Sequence, residues 1–582
     1  MAEFSWKIGG EAGYGIMTSG LIFGKAFVKS GLFAFDTNEY PSLIRGGHNT
    51  YTVRVCDEPI FSHSKKIDIL VALTKLAVEK HKDEISENGF IIFDQSVFSV
   101  NNEEVRDDIN LIPIPLTEIA TKSGGQAIMR NNVAIGASFA LVDYNFEHLV
   151  DTINGIFGGK KGEDVAKTNI NVAREGYNYV EKNFAKFLRS IKIFAKKFAK
   201  RMYITGNEAI SLGAIRAGCK FYSAYPMTPA SSILHFLSSK ENDYNIIVKQ
   251  TEDEIAAIHM AIGASFAGVR SMTGTSGGGF SLMTEALGLA ALTETPLVVV
   301  LAQRPGPSTG MPTHTEQGDL KFAINASNGE FPRVVVAPGD SNECFYETFN
   351  AFNIAEKYQI PVIVLTDKFL AESHSTIDPF LSKQLKIDRG MLLTDEKAKQ
   401  IKDYKRYENT ATGVSYRSIP SQPAMFKAAT DEHDEYGRLS EEQSDRITQM
   451  DKRFRKFKVL ESEIDGIKMY GDDDADITII SWGSTKGPIL EAMKIFSQKG
   501  VKVCFIQVLY LMPFPTTKMK LLIEKRKNKI IIENNKTAQL ASLIKEYTGM
   551  DVDYKILKYD GRPFTPEDIY EKIDEVLTFA KL

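Results

Sequence analysis

At positions 296–302 the sequence reads Pro296-Leu297-Val298-Val299-Val300-Leu301-Ala302, an uninterrupted apolar run of strand length. Helix-length segments separate it from further short apolar runs at 221–225, 246–248, 334–337 and 361–366. Strands that are apolar on both faces are typical of a parallel sheet covered by helices on both sides. The pattern therefore predicts an α/β domain with a parallel sheet over residues 202–390.

The same alternation of strand-like and helix-length segments occurs on both sides of this region. Toward the N-terminus, strand-like runs lie at 4–8, 50–55, 67–73 and 89–93; toward the C-terminus, they lie at 477–481, 501–508 and 529–533. These runs predict an α/β domain over residues 1–190 and another over 471–582. Residues 391–470 are more polar and are predicted to form a connector along the surface. The fold class is thus α/β with three domains.

Composition restricts the class of protein. The 582 residues are 43% hydrophobic and 25% charged, enough for several packed cores. Lys plus Arg number 70 and Asp plus Glu 74, so the formal charge of −4 gives no reason to expect a nucleic acid or a membrane surface as partner. No stretch approaches about 18 uninterrupted apolar residues. A cytoplasmic location is predicted.

The four cysteines stand far apart in the sequence, and none forms a Cys-x-x-Cys unit. They are Cys56, Cys219, Cys344 and Cys504. This spacing does not favour a disulfide framework, a structural zinc site or an iron-sulfur cluster within the chain. No metal site is predicted, and each cysteine is interpreted as a small core residue.

Two glycine-containing segments near the N-terminus are compatible with an anionic ligand. Residues 9–15 read Gly-Gly-Glu-Ala-Gly-Tyr-Gly between a predicted strand and a helix-compatible segment. Backbone N–H groups at such a turn can approach a phosphate, although a purely structural tight turn explains the pattern equally well. Arg45-Gly46-Gly47-His48 places a cation beside two permissive residues and suits a phosphorylated ligand or an ordinary turn.

The second predicted domain opens with Tyr225-Pro226-Met227-Thr228-Pro229 between a strand and a helical stretch. Thr228 followed by Pro229 is typical of an N-cap with proline at the first helical position. The same position, at the carboxyl end of a parallel strand, is where α/β proteins bind ligands.

A group of acidic residues follows at 252–254. Thr251 and Glu254 fit a capping box, and acidic residues favour the first helical turn, so Asp253 and Glu254 have structural explanations. Glu252 has none, and is therefore predicted to be a carboxylate that can shuttle a proton.

Residues 273–280 read Thr-Gly-Thr-Ser-Gly-Gly-Gly-Phe. Three glycines beside hydroxyl residues favour a cofactor-lining loop over a simple turn. A further loop at 303–317 follows the apolar run at 296–302, is too polar for a core, and contains Arg304 and His314. His314 also fits the simpler interpretation of a loop histidine.

The sequence resembles the 2-oxoacid:ferredoxin (acceptor) oxidoreductase family, in the form in which a gamma domain is fused ahead of the alpha subunit. The resemblance spans nearly the whole chain and rests on residues 9–15, 45–48, 131–137, 225–229, 252–257, 274–279, 306–319, 533–535 and 561–565. It implies that residues 1–190 are a gamma domain resembling the catalytic domain of pyruvate/ketoisovalerate oxidoreductases. Residues 202–390 would be the pyrimidine-binding domain of a thiamine-diphosphate fold, and residues 471–582 a transketolase C-terminal-like domain.

The resemblance also implies an activity, the oxidative decarboxylation of a 2-oxoacid to its acyl-CoA with electron transfer to ferredoxin. Thiamine diphosphate is the implied cofactor, with its pyrimidine half bound by this chain and its aminopyrimidine contacted by Glu252. The implied site residues are Tyr225, Pro226, Thr275, Ser276 and Gly277 for the cofactor, Thr228, Arg304 and His314 for the substrate, and Gly13, Arg45 and Gly46 as candidates for coenzyme A.

Two absences from the sequence bear on the partners. It contains no Gly-Asp-Gly followed by paired asparagines, the motif that binds magnesium diphosphate in thiamine enzymes, and no cluster-binding cysteines. The resemblance therefore implies a beta subunit that carries the diphosphate, the magnesium ion and the nearest iron-sulfur cluster, in a dimer of alpha-beta units.

The resemblance favours 2-oxoglutarate as substrate, with pyruvate or branched-chain 2-oxoacids as alternatives. The family often has Lys or Arg in a Pro-Thr-x-Thr loop where this chain has His314, and a neutral imidazole pairs less reliably with a second carboxylate. A non-oxidative thiamine decarboxylase or a transketolase relative would need a complete diphosphate motif in one chain. A regulatory or binding protein that lost the chemistry is the non-enzymatic alternative.

Overall fold

The computed structural model describes residues 2–43, 46–159, 162–195 and 199–579. Contacts group the chain into two compact units, the first formed by residues 1–204, 372–379 and 565–569 and the second by the remaining residues. The domain boundaries at 190, 390 and 470 stay predictions. Within the described ranges, no helix has both the length and the apolar character needed to cross a bilayer. The cytoplasmic location also stays a prediction.

The first unit is built on a mixed eight-stranded sheet. Its strands lie in the order Asn110–Ile114, Ile85–Asp94, Ile67–Ala72, Glu3–Glu11, His48–Cys56, Phe33–Glu39, His374–Ile377 and Met202–Thr205. Glu3–Glu11 runs parallel to Ile67–Ala72 and antiparallel to His48–Cys56. The four strands predicted in this region are therefore all present.

Helices and an aromatic core cover this sheet. The helices are Ile16–Val28, Lys75–His81, Leu116–Lys122, Arg130–Leu141, Glu147–Phe157 and Glu163–Asn183, and a two-stranded ladder joins Val142–Asp143 to Ile191–Lys192. In the core, Trp6 stacks on Phe23 with 4.3 Å between ring centroids, and its indole N–H donates to Oγ of Ser138 at 2.9 Å. The buried indole is thus both packed and hydrogen-bonded.

The second unit contains a seven-stranded sheet that is parallel except at one edge. Its strands lie in the order Ile247–Gln250, Phe221–Ala224, Ser271–Thr275, Leu297–Gln303, Pro361–Asp367, Val334–Val336 and Tyr510–Met512. Leu297–Gln303 is buried along its whole length in the middle of the sheet, as its apolar sequence predicts. Tyr510–Met512 pairs antiparallel with Val334–Val336 and comes from the third predicted domain.

A five-stranded sheet lies in the same unit, in the order Ile467–Gly471, Val503–Val508, Ile477–Ser481, Lys529–Glu533 and Tyr554–Leu557. The helices after residue 205 are Gly206–Arg216, Ser231–Ser238, Glu241–Tyr244, Glu254–Phe266, Gly277–Leu292, Leu320–Asn325, Ser341–Tyr358, Lys368–Glu372, Asp395–Gln400, Gln443–Glu463, Lys486–Gln498, Thr516–Lys525, Gln539–Thr548 and Pro566–Phe579. Residues from both sheets share one hydrophobic cluster, for example Leu301 and Ile480. The second and third predicted domains are therefore packed together.

The prediction that residues 391–470 run along the surface is wrong for part of this segment. The helix Gln443–Glu463 buries Lys452 and Lys456, and both ammonium groups bind the buried carboxylate of Glu294, at 2.6 and 3.0 Å. Arg406 donates to the carbonyl oxygen of Glu294 at 2.9 Å. The charged sequence looked solvent-exposed, but its cations are compensated by a buried acid from another part of the chain.

Removal of this acid should destabilise the second unit. Burial would raise the pKa of Glu294, but Lys452 and Lys456 outweigh it and lower that pKa. Glu294→Gln leaves two buried ammonium groups without their counter-charge, so we expect the free energy of unfolding to fall by about 3–5 kcal/mol, measured by denaturant unfolding near pH 7.

Lys456→Met is the matched control. Burial lowers the pKa of Lys456 to about 7, and the Glu294–Lys452 pair remains, so we expect a smaller loss of stability than in Glu294→Gln. From pH 7 to pH 9 the wild type should gain stability relative to Lys456→Met, because the unfolded lysine still binds a proton that the folded amine has lost. Equal losses in the two variants would contradict the assignment of Glu294 as the compensating charge.

Candidate active site

Three polar loops begin at the same edge of the seven-stranded sheet. They follow three adjacent parallel strands, Phe221–Ala224, Ser271–Thr275 and Leu297–Gln303. Because the carboxyl ends of parallel strands meet at one edge, the segments 225–230, 276–279 and 304–319 start side by side, and the second of them continues into the helix Gly277–Leu292. This is the edge at which open α/β sheets bind ligands.

Of the three acidic residues at 252–254, Glu254 is the one that is buried. It is the first residue of Glu254–Phe266, whose N-cap is Asp253, with the Asp253 carboxylate accepting from the N–H of Ala256 at 2.7 Å. The predicted capping box is therefore wrong, and Thr251 instead donates its hydroxyl to the carbonyl oxygen of Asp253. Oε1 of Glu254 is buried without a hydrogen-bond partner among the described residues. Burial raises the pKa of this carboxyl.

The glycines at the start of the next helix make room for two carboxylates. A Cβ on Gly279 would overlap Oγ1 of Thr275 and lie 2.5 Å from Oε1 of Glu254. A Cβ on Gly277 would lie 2.5 Å from Oδ2 of Asp319. Both separations are far inside van der Waals contact, so these two positions require glycine while the acids keep their places.

Arg304 and Asp319 stand at the two ends of the third loop. Nη1 of Arg304 donates to the carbonyl oxygen of Thr228 at 2.7 Å, which ties the third loop to the first. Burial lowers the pKa of Arg304 and raises the pKa of Asp319 to about 6, while Arg304 opposes the latter rise. Arg304 also lowers the pKa of Glu254, so the three charged side chains form one electrostatic cluster.

Four buried polar atoms around this edge of the sheet have no hydrogen-bond partner among the described residues. They are Oε1 of Glu254, Oγ of Ser276, Nε of Arg304 and Oδ2 of Asp319. Each such atom costs about 1–3 kcal/mol unless a ligand satisfies it. A carboxyl group with a raised pKa, a hydroxyl and a guanidinium can hydrogen-bond a flat heterocycle that has both donors and acceptors. The residues present therefore fit the aminopyrimidine half of thiamine diphosphate.

The other predicted site residues in this region differ in how far they are exposed. Glu252 and Tyr225 are exposed, Pro226 and Thr228 are half-buried, and Thr275 is fully buried. The prediction that Thr228 caps a helix is wrong, because the helix Ser231–Ser238 starts later and its N-cap is Ala230. The Thr228 carbonyl is engaged by Arg304 instead.

His314 lies on the third loop between the buried Thr313 and Thr315 and is itself half-buried. Its Nδ1 is 2.8 Å from Nη1 of Arg562, a residue of the C-terminal segment. The sequence pattern did not connect these two residues.

The predicted coenzyme A residues lie in the first unit. Gly13 and Gly46 have φ values of 92° and 75°, and a Cβ on either would have open space around it. Their backbone conformation alone favours glycine, so a purely structural tight turn explains both residues. Arg45 lies outside the described residues. The coenzyme A assignment stays a prediction.

Comparison with known proteins gives matches along the whole chain. Three family models match: "Pyruvate ferredoxin/flavodoxin oxidoreductase" at residues 5–179, "Pyruvate flavodoxin/ferredoxin oxidoreductase, thiamine diP-bdg" at 212–453 and "Pyruvate:ferredoxin oxidoreductase core domain II" at 475–569. The 2-oxoacid:ferredoxin oxidoreductase subunit alpha of Sulfolobus sp. is 34% identical over 99% of this chain and 97% of its own length. The chain belongs to the 2-oxoacid:ferredoxin oxidoreductase family.

Other members of the 2-oxoacid:ferredoxin oxidoreductase family carry more specific names. The 2-oxoglutarate oxidoreductase subunit KorA of Mycobacterium tuberculosis is 29% identical over 97% of this chain and 90% of its own length. A solved structure of 2-oxoglutarate:ferredoxin oxidoreductase from Magnetococcus marinus, with 2-oxoglutarate, coenzyme A and succinyl-CoA bound, is 33% identical. It covers 99% of each chain with a TM-score of 0.90. The family and the α/β fold class predicted from the sequence are confirmed.

In this 2-oxoacid:ferredoxin oxidoreductase, three residues of the site region were not predicted from the sequence as site residues: Glu254, Asp319 and Arg562. A signal for Glu254 was present, because Asp253 is as strong an N-cap type as Thr251 and an Asp253 cap removes the capping role from Glu254. Asp319 and Arg562 had no local signal, since their neighbours in space are distant in the sequence.

Proposed function

We propose that this chain is the alpha subunit of an enzyme that oxidatively decarboxylates 2-oxoglutarate to its acyl-CoA and passes the electrons to ferredoxin. Family membership supports the reaction class. The names of the Mycobacterium and Magnetococcus relatives favour 2-oxoglutarate over pyruvate or branched-chain acids.

We assign the contact with the aminopyrimidine ring to Glu254 rather than to Glu252. The observation that carries this assignment is the buried Oε1 of Glu254 beside Thr275 and Gly279, which has no hydrogen-bond partner in the part of the chain that the structure describes. A buried carboxyl with a raised pKa can hold a proton and share it with a ring nitrogen. Glu252, exposed on this chain, stays a prediction that the same experiment tests.

The remaining residues have complementary roles in the proposal. When bound, thiamine diphosphate supplies an electron sink for the charge left as carbon dioxide departs. Arg304 and Thr228 orient the substrate carboxylate next to that sink, and Ser276 and Thr275 line the pocket. Tyr225, Pro226 and Gly277 complete the wall around the heterocycle. The burial of Glu254 and Thr275 excludes water from the proton-transfer position.

The partners are also proposals. The alpha-subunit names of the relatives imply a multi-subunit enzyme. We propose a beta subunit that supplies the magnesium-diphosphate site and the nearest iron-sulfur cluster, ferredoxin as the electron acceptor, and a dimer of alpha-beta units. Among the described residues no group of three or more His, Cys, Asp or Glu side chains could hold a metal ion.

Activity should depend on both subunits. We expect the chain co-expressed with its beta subunit under anaerobic conditions to reduce viologen only when a 2-oxoacid and coenzyme A are both present. The highest kcat/KM should be for 2-oxoglutarate, in comparison with pyruvate and 2-oxoisovalerate, and each subunit alone should be inactive.

Two outcomes would contradict the proposal. An intact complex that binds thiamine diphosphate and contains its iron-sulfur cluster, but turns over none of the acids, would favour a regulatory relative. A clear preference for pyruvate would keep the reaction and replace the substrate.

A further inference from the structure

A cavity of about 310 Å³ lies in the first unit. It is lined by residues from the end of the helix Ile16–Val28, from the helix Glu147–Phe157 and from around the start of the strand Met202–Thr205. The glycine turn at 9–15, which contains a coenzyme A candidate, precedes the other end of the first helix, about 18 Å away along the helix axis. The cavity is therefore separate from that turn, and it has the volume of a small-molecule site.

Three positively charged side chains line this cavity, Lys25, Lys29 and Arg201, and among the described residues no acidic side chain lines it. Lys25 is half-buried, and its ammonium group makes no hydrogen bond or ion pair within the described ranges. The ammonium group of Lys29 donates to a neutral acceptor, the carbonyl oxygen of Asp151, at 2.9 Å. Because like charges around one cavity repel each other, the cavity favours an anion.

Arg201 adds a donor that lacks an acceptor. Its side chain is only 10% exposed, lies over the ring of Phe33 at 3.9 Å from the centroid, and donates from Nη1 to the carbonyl oxygen of Gly31. Its Nε is buried without a hydrogen-bond partner in the described part of the chain. Oδ1 of the exposed Asp378 is 3.9 Å from this Nε, beyond hydrogen-bond length. A ligand in the cavity can supply the missing acceptor.

Gly155 leaves room for such a ligand. It lines the cavity from within the helix Glu147–Phe157, where glycine destabilises the helix relative to alanine. A Cβ at this position would meet only Nζ of Lys29, at 3.5 Å. A larger side chain would therefore occupy the space in front of the Lys29 ammonium group.

We propose that this cavity binds a small organic phosphate with at least two negative charges. Ammonium and guanidinium groups are the side chains with which proteins hold phosphate oxygens. Val28 and Ile156 form an apolar part of the wall, suited to the carbon part of the ligand. The inference concerns a site outside the candidate active site and does not rest on the proposed function.

The test is isothermal titration calorimetry of the full chain with inorganic pyrophosphate. At about 0.15 M salt, where exposed charges are screened beyond about 8 Å, we expect the wild type to bind. Lys25→Met should raise the Kd by about 10- to 100-fold, since a hydrogen bond to a charged group is lost. The melting temperature of this variant without pyrophosphate should not fall, because the Lys25 ammonium group has no partner to lose.

Two further variants separate a built site from general positive charge. Gly155→Leu keeps all three cations and fills the cavity, so it should also abolish binding. Lys167→Met is the control, because Lys167 is exposed and does not line the cavity, and it should bind as the wild type does.

Four results would overturn the inference. They are a wild type that does not bind pyrophosphate, wild-type Kd values in folded Lys25→Met and Gly155→Leu, a loss in Lys167→Met as large as in Lys25→Met, and tighter binding of citrate than of pyrophosphate. The third would indicate diffuse attraction to the surface, and the fourth a carboxylate ligand in place of a phosphate.

Discussion

Glu254→Gln should lower kcat of the assembled enzyme by about 10²- to 10⁴-fold, the range lost when a positioned proton-transfer group is removed. Glutamine keeps the size of the side chain but cannot hold the exchangeable proton that the buried carboxyl, with its raised pKa, can share. The measurement is 2-oxoglutarate-dependent viologen reduction at saturating coenzyme A and thiamine diphosphate. Equilibrium binding of thiamine diphosphate should weaken as well, because one buried contact is lost.

Glu252→Gln is the matched control, since Glu252 is only two residues away and exposed on this chain. We expect it to keep kcat within about threefold of the wild type, as surface substitutions away from such sites have small effects. The reverse result, a large loss for Glu252→Gln and a small loss for Glu254→Gln, would restore the sequence-based assignment.

Gly279→Ala should be nearly as damaging, with kcat reduced by at least about 10²-fold. The added Cβ would overlap Oγ1 of Thr275 and lie 2.5 Å from Oε1 of Glu254. One of these two side chains must move, and a displacement of about 1 Å in a reacting group costs this much. Far-UV circular dichroism and thermal unfolding should show that the helix and the complex remain folded.

Gly278→Ala is the adjacent control. A Cβ on Gly278 would meet only the carbonyl oxygen of Ser308, at 3.8 Å, and alanine favours the helix that this residue joins. We expect wild-type activity. If Gly278→Ala and Gly279→Ala lost activity equally, the general flexibility of the glycine cluster would explain the loss better than contact with Glu254.

The buried strands could be predicted from the sequence because their apolar character is local. The run at 296–302 became the strand Leu297–Gln303, and the runs at 50–55 and 67–73 became His48–Cys56 and Ile67–Ala72. The neighbour that each strand pairs with in a sheet could not be predicted in this way. Nothing near Tyr510–Met512 in the sequence indicates that it joins the sheet of the preceding domain.

For the candidate site, the sequence located the loops but not the decisive side chains. Small and hydroxyl residues pointed to residues 273–280, and within this segment the structure places Thr275 and Gly279 beside Glu254. The role of Glu254 depended on which neighbour caps the helix, Thr251 or Asp253, and both types of cap are common. Arg562 is separated from His314 by 248 positions, so only the three-dimensional fold brings them together.

In the connector, residues 391–470, the burial of charged side chains was likewise not predictable from the local sequence. Lys452 and Lys456 belong to a segment that was predicted to run along the surface because it is polar and rich in charge. Their burial follows from Glu294, 158 residues from Lys452, and no pattern within the helix contains that information.

The antiparallel strand Tyr510–Met512 affects how this polypeptide can be divided. It covers the edge of Val334–Val336, so a fragment that ends near residue 390 would leave a row of backbone N–H and C=O groups open to any passing strand. Such a fragment should self-associate on expression. A recombinant thiamine-binding module therefore has to include the C-terminal segment that completes its sheet.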